Sequence, residues 1–164
     1  MIRLAINGYG RIGRSVLRAL QESSLQSRLQ VVAINELADA STVLHLTRYD
    51  STHGRFPGQL QGNEQELMIA GESIRLLRSA DIKALPWGDL GVVMVIESTG
   101  IFSSKEQASM HLDAGAPFVI VSAPSAGADA TIFVNHGGRF AFTPDDCLGI
   151  VEATQQPMGP LKPI

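Results

Sequence analysis

Three glycines near the start of the chain have the spacing that phosphate binding requires. Residues 6–13 read Ile-Asn-Gly-Tyr-Gly-Arg-Ile-Gly, which gives the pattern G-x-G-x-x-G at Gly8, Gly10 and Gly13. In that pattern the first glycine permits a tight turn, the second lets the backbone approach a diphosphate, and the third lets a helix pack closely on a strand. Backbone N–H groups around Arg11 and Ile12 would then face the phosphates at the positive end of a helix. The alternative is an ordinary glycine-containing turn, because the pattern alone is weak evidence.

The elements around the glycines favour dinucleotide binding. Residues 3–6, which include the apolar run at residues 4–6, are typical of a short buried strand, and the apolar residues after Gly10 recur at helical spacing. Residues 29–34 are rich in β-branched side chains, so they are predicted to be the second strand of a βαβ unit. A G-x-G-x-x-G pattern that joins a strand to a helix in such a unit is typical of dinucleotide binding.

Glu36 directly follows the second strand and is the candidate for binding ribose. A carboxylate at this position can accept hydrogen bonds from the ribose hydroxyls of the adenosine. A 2′-phosphate would instead face a like charge at ~4 Å, at a cost of about 1 to 4 kcal/mol. The sequence therefore predicts NAD rather than NADP as cofactor. The alternative for Glu36 is a solvated acid at a strand end.

The remaining segments predict an α/β fold. Residues 92–96 and 118–121 are apolar without alternation, as expected of strands covered on both faces of a parallel sheet. Between them, Ser103 and Glu106 have the spacing of a capping box at a helix start. Residues 58–77 contain short alternating runs typical of antiparallel strands. The predicted fold is a doubly wound, Rossmann-type, mostly parallel sheet with a small antiparallel excursion.

Composition limits the classes of partner and location. The chain has 164 residues and a net charge of −3, without a basic run, so no nucleic acid or membrane partner is expected. Its one cysteine, Cys147, excludes an intramolecular disulfide and a multi-cysteine metal site, and fits a reducing compartment. No apolar run approaches the ~18 residues of a membrane span. We therefore expect a cytoplasmic protein without a metal site.

Several segments, in this order, resemble the NAD-binding half of the glyceraldehyde-3-phosphate dehydrogenase superfamily. They are INGYGRIG, VAINELAD, YDSTHGRF, LPW, ESTGIF and SAPS, and they extend over residues 1–135. Within the superfamily, residues 35–39, Asn-Glu-Leu-Ala-Asp, resemble the D-erythrose-4-phosphate dehydrogenase branch. The glycolytic branch, which usually has Asn-Asp-Pro there, and a non-catalytic NAD-binding module remain as alternatives.

The resemblance implies a set of cofactor-binding residues. Gly8, Gly10, Arg11, Ile12 and Gly13 would form the pyrophosphate turn, Glu36 would bind ribose, Thr99 and Gly100 would lie along the cleft, Ser122 would approach the nicotinamide, and Arg78 is a further candidate. In the family the loop that holds His53 performs no proton transfer, so His53 is interpreted as structural.

The resemblance also implies chemistry for which this chain lacks the residues. Members oxidise a sugar-phosphate aldehyde through a cysteine in a Ser-Cys-Thr-Thr-Asn segment that follows a strand, with NAD as hydride acceptor. Here Cys147 precedes the candidate strand at 148–151 and lacks those neighbours, so no catalytic residue is predicted and the chain alone is expected to be inactive. Residues 136–164 are expected to be a divergent, poorly structured tail, in a truncated or frame-altered product without the substrate domain. The family's usual tetramer makes a homo-oligomer the expected assembly.

Overall fold

A computed structural model describes residues 1–133 and 150–154 of the chain. The helices are α1 Arg11–Glu22, α2 Ala40–Arg48, α3 Lys105–Ala108 and α4 Met110–Asp113, with short 3₁₀ turns at Ser24–Ser27 and Ile82–Ala84. The strands are β1 Ile2–Asn7, β2 Leu29–Asn35, β3 Tyr49–Asp50, β4 Gly54–Arg55, β5 Leu60–Gly62, β6 Glu66–Ile69, β7 Glu72–Leu77, β8 Met94–Glu97, β9 Phe118–Val121, β10 Ala130–Phe133 and β11 Ile150–Thr154.

One sheet holds nine of these strands in the order β10-β11-β9-β8-β1-β2-β7-β6-β5. The strands from β10 to β7 pair in parallel, whereas β7, β6 and β5 pair antiparallel at the other edge. Among the parallel strands next to β1, β2 and β7 follow one another on one side of β1, and β8 and β9 follow one another on the other side. This reversal beside β1 is the topological switch point at which doubly wound sheets bind ligands. The predicted fold class is confirmed.

The hydrophobic core lies on both faces of the parallel sheet, because both faces are covered. On β1, Ala5 and Ile6 are completely buried, and they belong to two different hydrophobic clusters. Helix α1 contributes Leu17 and Leu20 to the cluster of Ile6, on the same helical face as Gly13. The other cluster contains Ala5 and surrounds Trp87, which is also completely buried.

Three details differ from the sequence expectation or add to it. The capping box lies one residue later than predicted: the side chain of Ser104 accepts the N–H of Gln107, because Ser104 has the extended backbone of a helix N-cap. The loop at residues 49–56 contains the short antiparallel pair β3–β4. Strand β11 lies between β9 and β10, so the sheet includes five residues from the segment expected to be a tail. Cys147 and residues 155–164 lie outside the described residues.

The helices in the described ranges, 1–133 and 150–154, are all too short or too polar to cross a bilayer.

Candidate functional site

A cleft of about 320 Å³ opens at the carboxyl ends of β1, β2 and β8, beside the switch point. Its polar wall residues come from the ends of these strands and the loops after them. The lining residues are Asn7, Gly8, Gly10, Asn35, Glu36, Leu37, Ser79, Ala80, Ile82, Ser98, Thr99, Ile101 and Phe102. The cleft therefore combines the glycine turn with the acid after β2, although these are distant in sequence.

Two glycines of the turn have a steric reason for lacking a side chain, and the third has none. Gly8 has a φ of +87°, and a Cβ there would lie 2.6 Å from the backbone nitrogen of Thr99. At Gly13 a Cβ would collide with the carbonyl oxygen of Gly8 and lie 3.0 Å from Ile6 Cγ2. Gly10 differs because a Cβ there would meet no atom within 4 Å. The lack of a side chain thus allows close packing of the chain at Gly8 and Gly13, whereas at Gly10 it leaves the cleft side of the turn open.

The first turn of α1, beside the cleft, has backbone N–H groups that need an acceptor from outside the helix. Gly10 is the N-cap, so it supplies no side-chain acceptor, and no acidic residue lies in the first turn. The first N–H groups of a helix have no acceptor inside the helix, and the helix dipole adds partial positive charge there. Arg11 and Ile12 occupy this turn with exposed side chains. The arrangement can bind an anion through main-chain amides alone.

Glu36 contacts this turn directly, and two backbone N–H groups hold its carboxylate. Its Oε2 accepts the N–H of Tyr9 at 2.8 Å, and its Oε1 accepts the N–H of Ala38 at 3.1 Å. A carboxylate oxygen can accept more than one hydrogen bond, so acceptor capacity remains for a ligand hydroxyl. The fixed carboxylate therefore presents a negative charge directly beside the anion-binding turn.

Polar residues at the ends of β1 and β2 line the floor of the cleft, and Glu97 at the end of β8 lies buried behind them. Asn7 lies opposite both Asn35 and Glu97 in the register of the sheet. Asn35 donates to Asn7 Oδ1 at 2.7 Å and exchanges two hydrogen bonds with the backbone of Ser79. Asn7 in turn donates to Glu97 Oε2 at 2.5 Å. Sequence reasoning did not assign Asn7, Asn35, Ser79 or Glu97. The available signal was a polar residue that ends an apolar strand in each of β1, β2 and β8.

Apolar side chains flank the polar floor. Leu37 and Ile101 line the cleft and remain 64% and 70% exposed. Phe102 and the buried Ile82 complete this apolar surface. Large exposed apolar groups at a cleft are suited to packing against a planar ligand group, such as a nucleotide base.

The cofactor residues predicted after β7, β8 and β9 differ in their positions. Thr99 lines the cleft, and Gly100 follows it with a φ of +74° between two lining residues. Ser122 does not line the cleft, and its N–H donates to the carbonyl of Glu97 at 2.9 Å. The Arg78 guanidinium forms an ion pair with Glu64 at 2.9 Å, while the next two residues, Ser79 and Ala80, line the cleft instead.

The histidine loop lies on the surface and is fixed by hydrogen bonds. The His53 ring lies 3.2 Å from Asp50 Oδ1, which also accepts the N–H groups of His53 and Thr52. These backbone N–H groups lower the pKa of Asp50 to about 2. Arg18 donates to the carbonyls of His53, Gly54 and Arg55. These contacts give the loop a structural explanation.

Among residues 1–133 and 150–154, no group of three or more histidine, cysteine, aspartate or glutamate side chains could hold a metal ion.

Comparison with known proteins agrees with this geometry. The family described as "Glyceraldehyde 3-phosphate dehydrogenase, NAD binding domain" matches residues 2–105. The chain is 52% identical over 139 residues to "Glyceraldehyde-3-phosphate dehydrogenase, plasmid" of Cupriavidus necator, an alignment that covers 83% of this chain and 41% of that protein. Glyceraldehyde-3-phosphate dehydrogenases of Pseudomonas aeruginosa and Thermotoga maritima are 49% and 48% identical, with 82% of this chain aligned in each case and 41% and 40% of those proteins.

The chain thus spans about two fifths of the length of the curated relatives it matches. More than half of its residues match the family, and the sheet, the glycine turn and the cleft have the arrangement of a dinucleotide-binding unit. The chain belongs to the glyceraldehyde-3-phosphate dehydrogenase family, as its NAD-binding domain.

Proposed function

We propose that the cleft beside β1 binds NAD, with main-chain amides on the diphosphate and Glu36 on the adenosine ribose. The observation that carries this proposal is the contrast among the three glycines. Gly8 and Gly13 are closely packed, whereas Gly10 leaves open space at the uncapped start of α1. A turn that needed glycine only for folding would not require Gly10, because its φ of −72° suits any residue.

The residues of the cleft fit the chemical groups of NAD. The amides of Arg11 and Ile12 suit a diphosphate, the Glu36 carboxylate suits a pair of hydroxyls, and the apolar side chains of Leu37 and Ile101 suit the adenine ring. When bound, NAD would serve as the hydride acceptor in oxidation of an aldehyde. The chain's own contribution is to bind and orient this cofactor.

We further propose roles for the remaining candidates. Thr99 and Gly100 would contact the cofactor along the β8 side of the cleft, and Ser122 would lie towards the nicotinamide. Arg78 would contribute only through a rearrangement, since Glu64 holds its guanidinium. Residues 1–135 would form the NAD-binding domain, with β11 as an addition from the segment that follows.

The proposed reaction of the whole protein is oxidation of a phosphorylated aldehyde, and two substrates compete. Glyceraldehyde 3-phosphate is favoured by the names of the relatives. D-Erythrose 4-phosphate, with 4-phosphoerythronate as product, is favoured only by Asn-Glu-Leu-Ala-Asp at residues 35–39. A non-catalytic NAD-binding module is the other candidate, favoured by the lack of a cysteine with the expected neighbours. We also propose a cytoplasmic location and a homotetramer, in keeping with the family.

One assay separates these candidates. The 164-residue chain and the protein isolated from its source cells are each mixed with NAD and either aldehyde, with and without inorganic phosphate. We expect no NADH from the chain alone. We expect NADH from the isolated protein with a phosphate requirement if it acts on glyceraldehyde 3-phosphate, and without one if it hydrolyses the erythrose 4-phosphate adduct. NAD binding without NADH in both preparations would favour the non-catalytic module.

A further inference from the structure

A buried row of hydrogen bonds lies behind the cleft floor and joins three residues that line no part of the cleft. Trp87 Nε1 is 3.0 Å from His111 Nδ1, and His111 Nε2 is 2.9 Å from Glu97 Oε2. Trp87 and His111 are completely buried, and Glu97 is 2% exposed. Trp87 precedes β8, Glu97 ends β8 and His111 lies on α4, so the row joins three separate elements.

Only one proton arrangement satisfies this row. The indole nitrogen of Trp87 can only donate, so His111 Nδ1 must be the acceptor and carries no proton. The imidazole is then neutral with its proton on Nε2, which donates to the Glu97 carboxylate. Trp87 thus fixes the tautomer of His111, and the tautomer makes His111 a donor to Glu97.

Glu97 uses its remaining acceptor capacity on two residues that line the cleft. Asn7 donates to Glu97 Oε2 at 2.5 Å, while Oε1 accepts the N–H of Thr99 at 2.8 Å and its hydroxyl at 2.5 Å. Asn7 cannot reverse its amide without losing the donor from Asn35 to its oxygen. Four of these hydrogen bonds converge on the buried Glu97 carboxylate, so loss of one donor removes a hydrogen bond that water cannot replace.

We infer that Trp87 and His111 are positioning residues of the NAD cleft, which act through Glu97 to fix Asn7 and Thr99 in the cleft wall. The inference rests on the proposed cofactor site. A purely structural role for the same pair would affect folding stability but would leave NAD affinity unchanged in folded protein. The two roles are therefore separable by measuring both quantities on the same variants.

The test compares three variants by calorimetric titration with NAD and by urea unfolding. His111→Leu removes both hydrogen bonds, while His111→Gln retains an amide N–H that can donate to Glu97. Leu67→Ala is the control, because Leu67 is completely buried in the other core cluster and touches none of this row. We expect His111→Leu to weaken NAD binding about tenfold, which corresponds to about 1.4 kcal/mol. We expect His111→Gln to recover most of the loss.

The control should lose stability while its NAD dissociation constant changes by less than about twofold, because distant sites act independently. If folded His111→Leu binds NAD as the wild type does, or if His111→Gln is no better than His111→Leu, the positioning role is wrong. If the wild-type chain itself binds no NAD, the proposed function fails and the inference fails with it.

A second measurement needs no variant and covers the case in which His111→Leu does not fold. Proton–nitrogen correlation spectra of the isotope-labelled chain report the tautomer of His111 and the indole N–H of Trp87, the single tryptophan. We expect a neutral imidazole with its proton on Nε2, and indole and imidazole signals that shift when NAD is added. A proton on Nδ1, or signals that NAD leaves unchanged, would overturn the inference.

Discussion

Alanine substitutions at the three glycines of the turn should separate folding from cofactor binding. Gly8→Ala places a side chain at a φ of +87° and within 2.6 Å of the backbone of Thr99. The left-handed conformation costs about 1–2 kcal/mol for alanine, and the overlap adds about 1–3 kcal/mol. The free energy of unfolding should therefore fall by about 2 to 5 kcal/mol. Gly13→Ala should also destabilise the fold, because its Cβ would meet the carbonyl of Gly8.

Gly10→Ala should mainly lower NAD affinity, with a small effect on the free energy of unfolding. Its φ of −72° suits alanine, and no atom lies within 4 Å of the added Cβ. We expect the free energy of unfolding to fall by only about 1 kcal/mol, which is the cost of replacing glycine by alanine, a poorer N-cap. The methyl group would instead occupy the space proposed for the diphosphate. NAD affinity should fall at least about tenfold, or about 1.4 kcal/mol.

Urea unfolding gives the stability of each variant, and calorimetric titration with NAD gives its affinity. Variants at Gly8 and Gly13 that stay folded should lose more stability than the Gly10 variant. They should lose less NAD affinity for each kcal/mol of stability lost. Unchanged NAD affinity in Gly10→Ala, or unchanged stability in Gly8→Ala, would refute the assignment of separate roles to these glycines.

Three further substitutions test other parts of the account. Glu36→Gln should reduce the preference for NAD over NADP by about 1 to 4 kcal/mol, because the like charge beside the 2′-phosphate disappears; paired titrations with the two cofactors measure this, and an unchanged ratio would exclude Glu36 from selectivity. Arg18→Ala should lower the free energy of unfolding by about 1 to 3 kcal/mol, because three loop carbonyls lose a charged donor; Glu22→Ala, which removes only the ion pair with Arg18 at 2.9 Å, is the control and should cost less than about 0.5 kcal/mol. Asp50 has a folded pKa near 2 against an ordinary value of 3.8, so its stabilising contribution is present above pH 3.8 and is lost as the pH falls towards 2; Asp50→Asn should flatten the acid limb of the stability curve, and an unchanged slope would contradict this linkage.

The sequence predicted the features that depend on local patterns. The βαβ unit follows from apolar runs of strand and helix periodicity, and the close packing at Gly8 and Gly13 follows from their places in that unit. The antiparallel excursion was predicted from short alternating runs, and the structure contains it as β5–β7. Family resemblance was predicted from the order of the motifs and is confirmed by the match to residues 2–105.

The features that the sequence did not predict depend on contacts between distant segments. Glu97 accepts hydrogen bonds from Asn7, which is 90 positions away, and from His111, which is 14 positions away. The neighbouring residues in the sequence do not distinguish a buried glutamate that accepts four hydrogen bonds from an exposed glutamate at a strand end. Arg78 is a cofactor candidate by resemblance alone, and no sequence pattern indicated that its side chain contacts Glu64.

The most direct test of NAD binding by main-chain amides is a titration of the isotope-labelled chain with NAD. Proton–nitrogen correlation spectra recorded at each step report the shift of every amide. We expect the largest amide shifts at Gly10, Arg11 and Ile12 and around Glu36, with saturation at an equimolar complex. Shifts confined to another surface, or no shifts in this turn at saturating NAD, would contradict the claim that main-chain amides at the start of α1 bind the diphosphate.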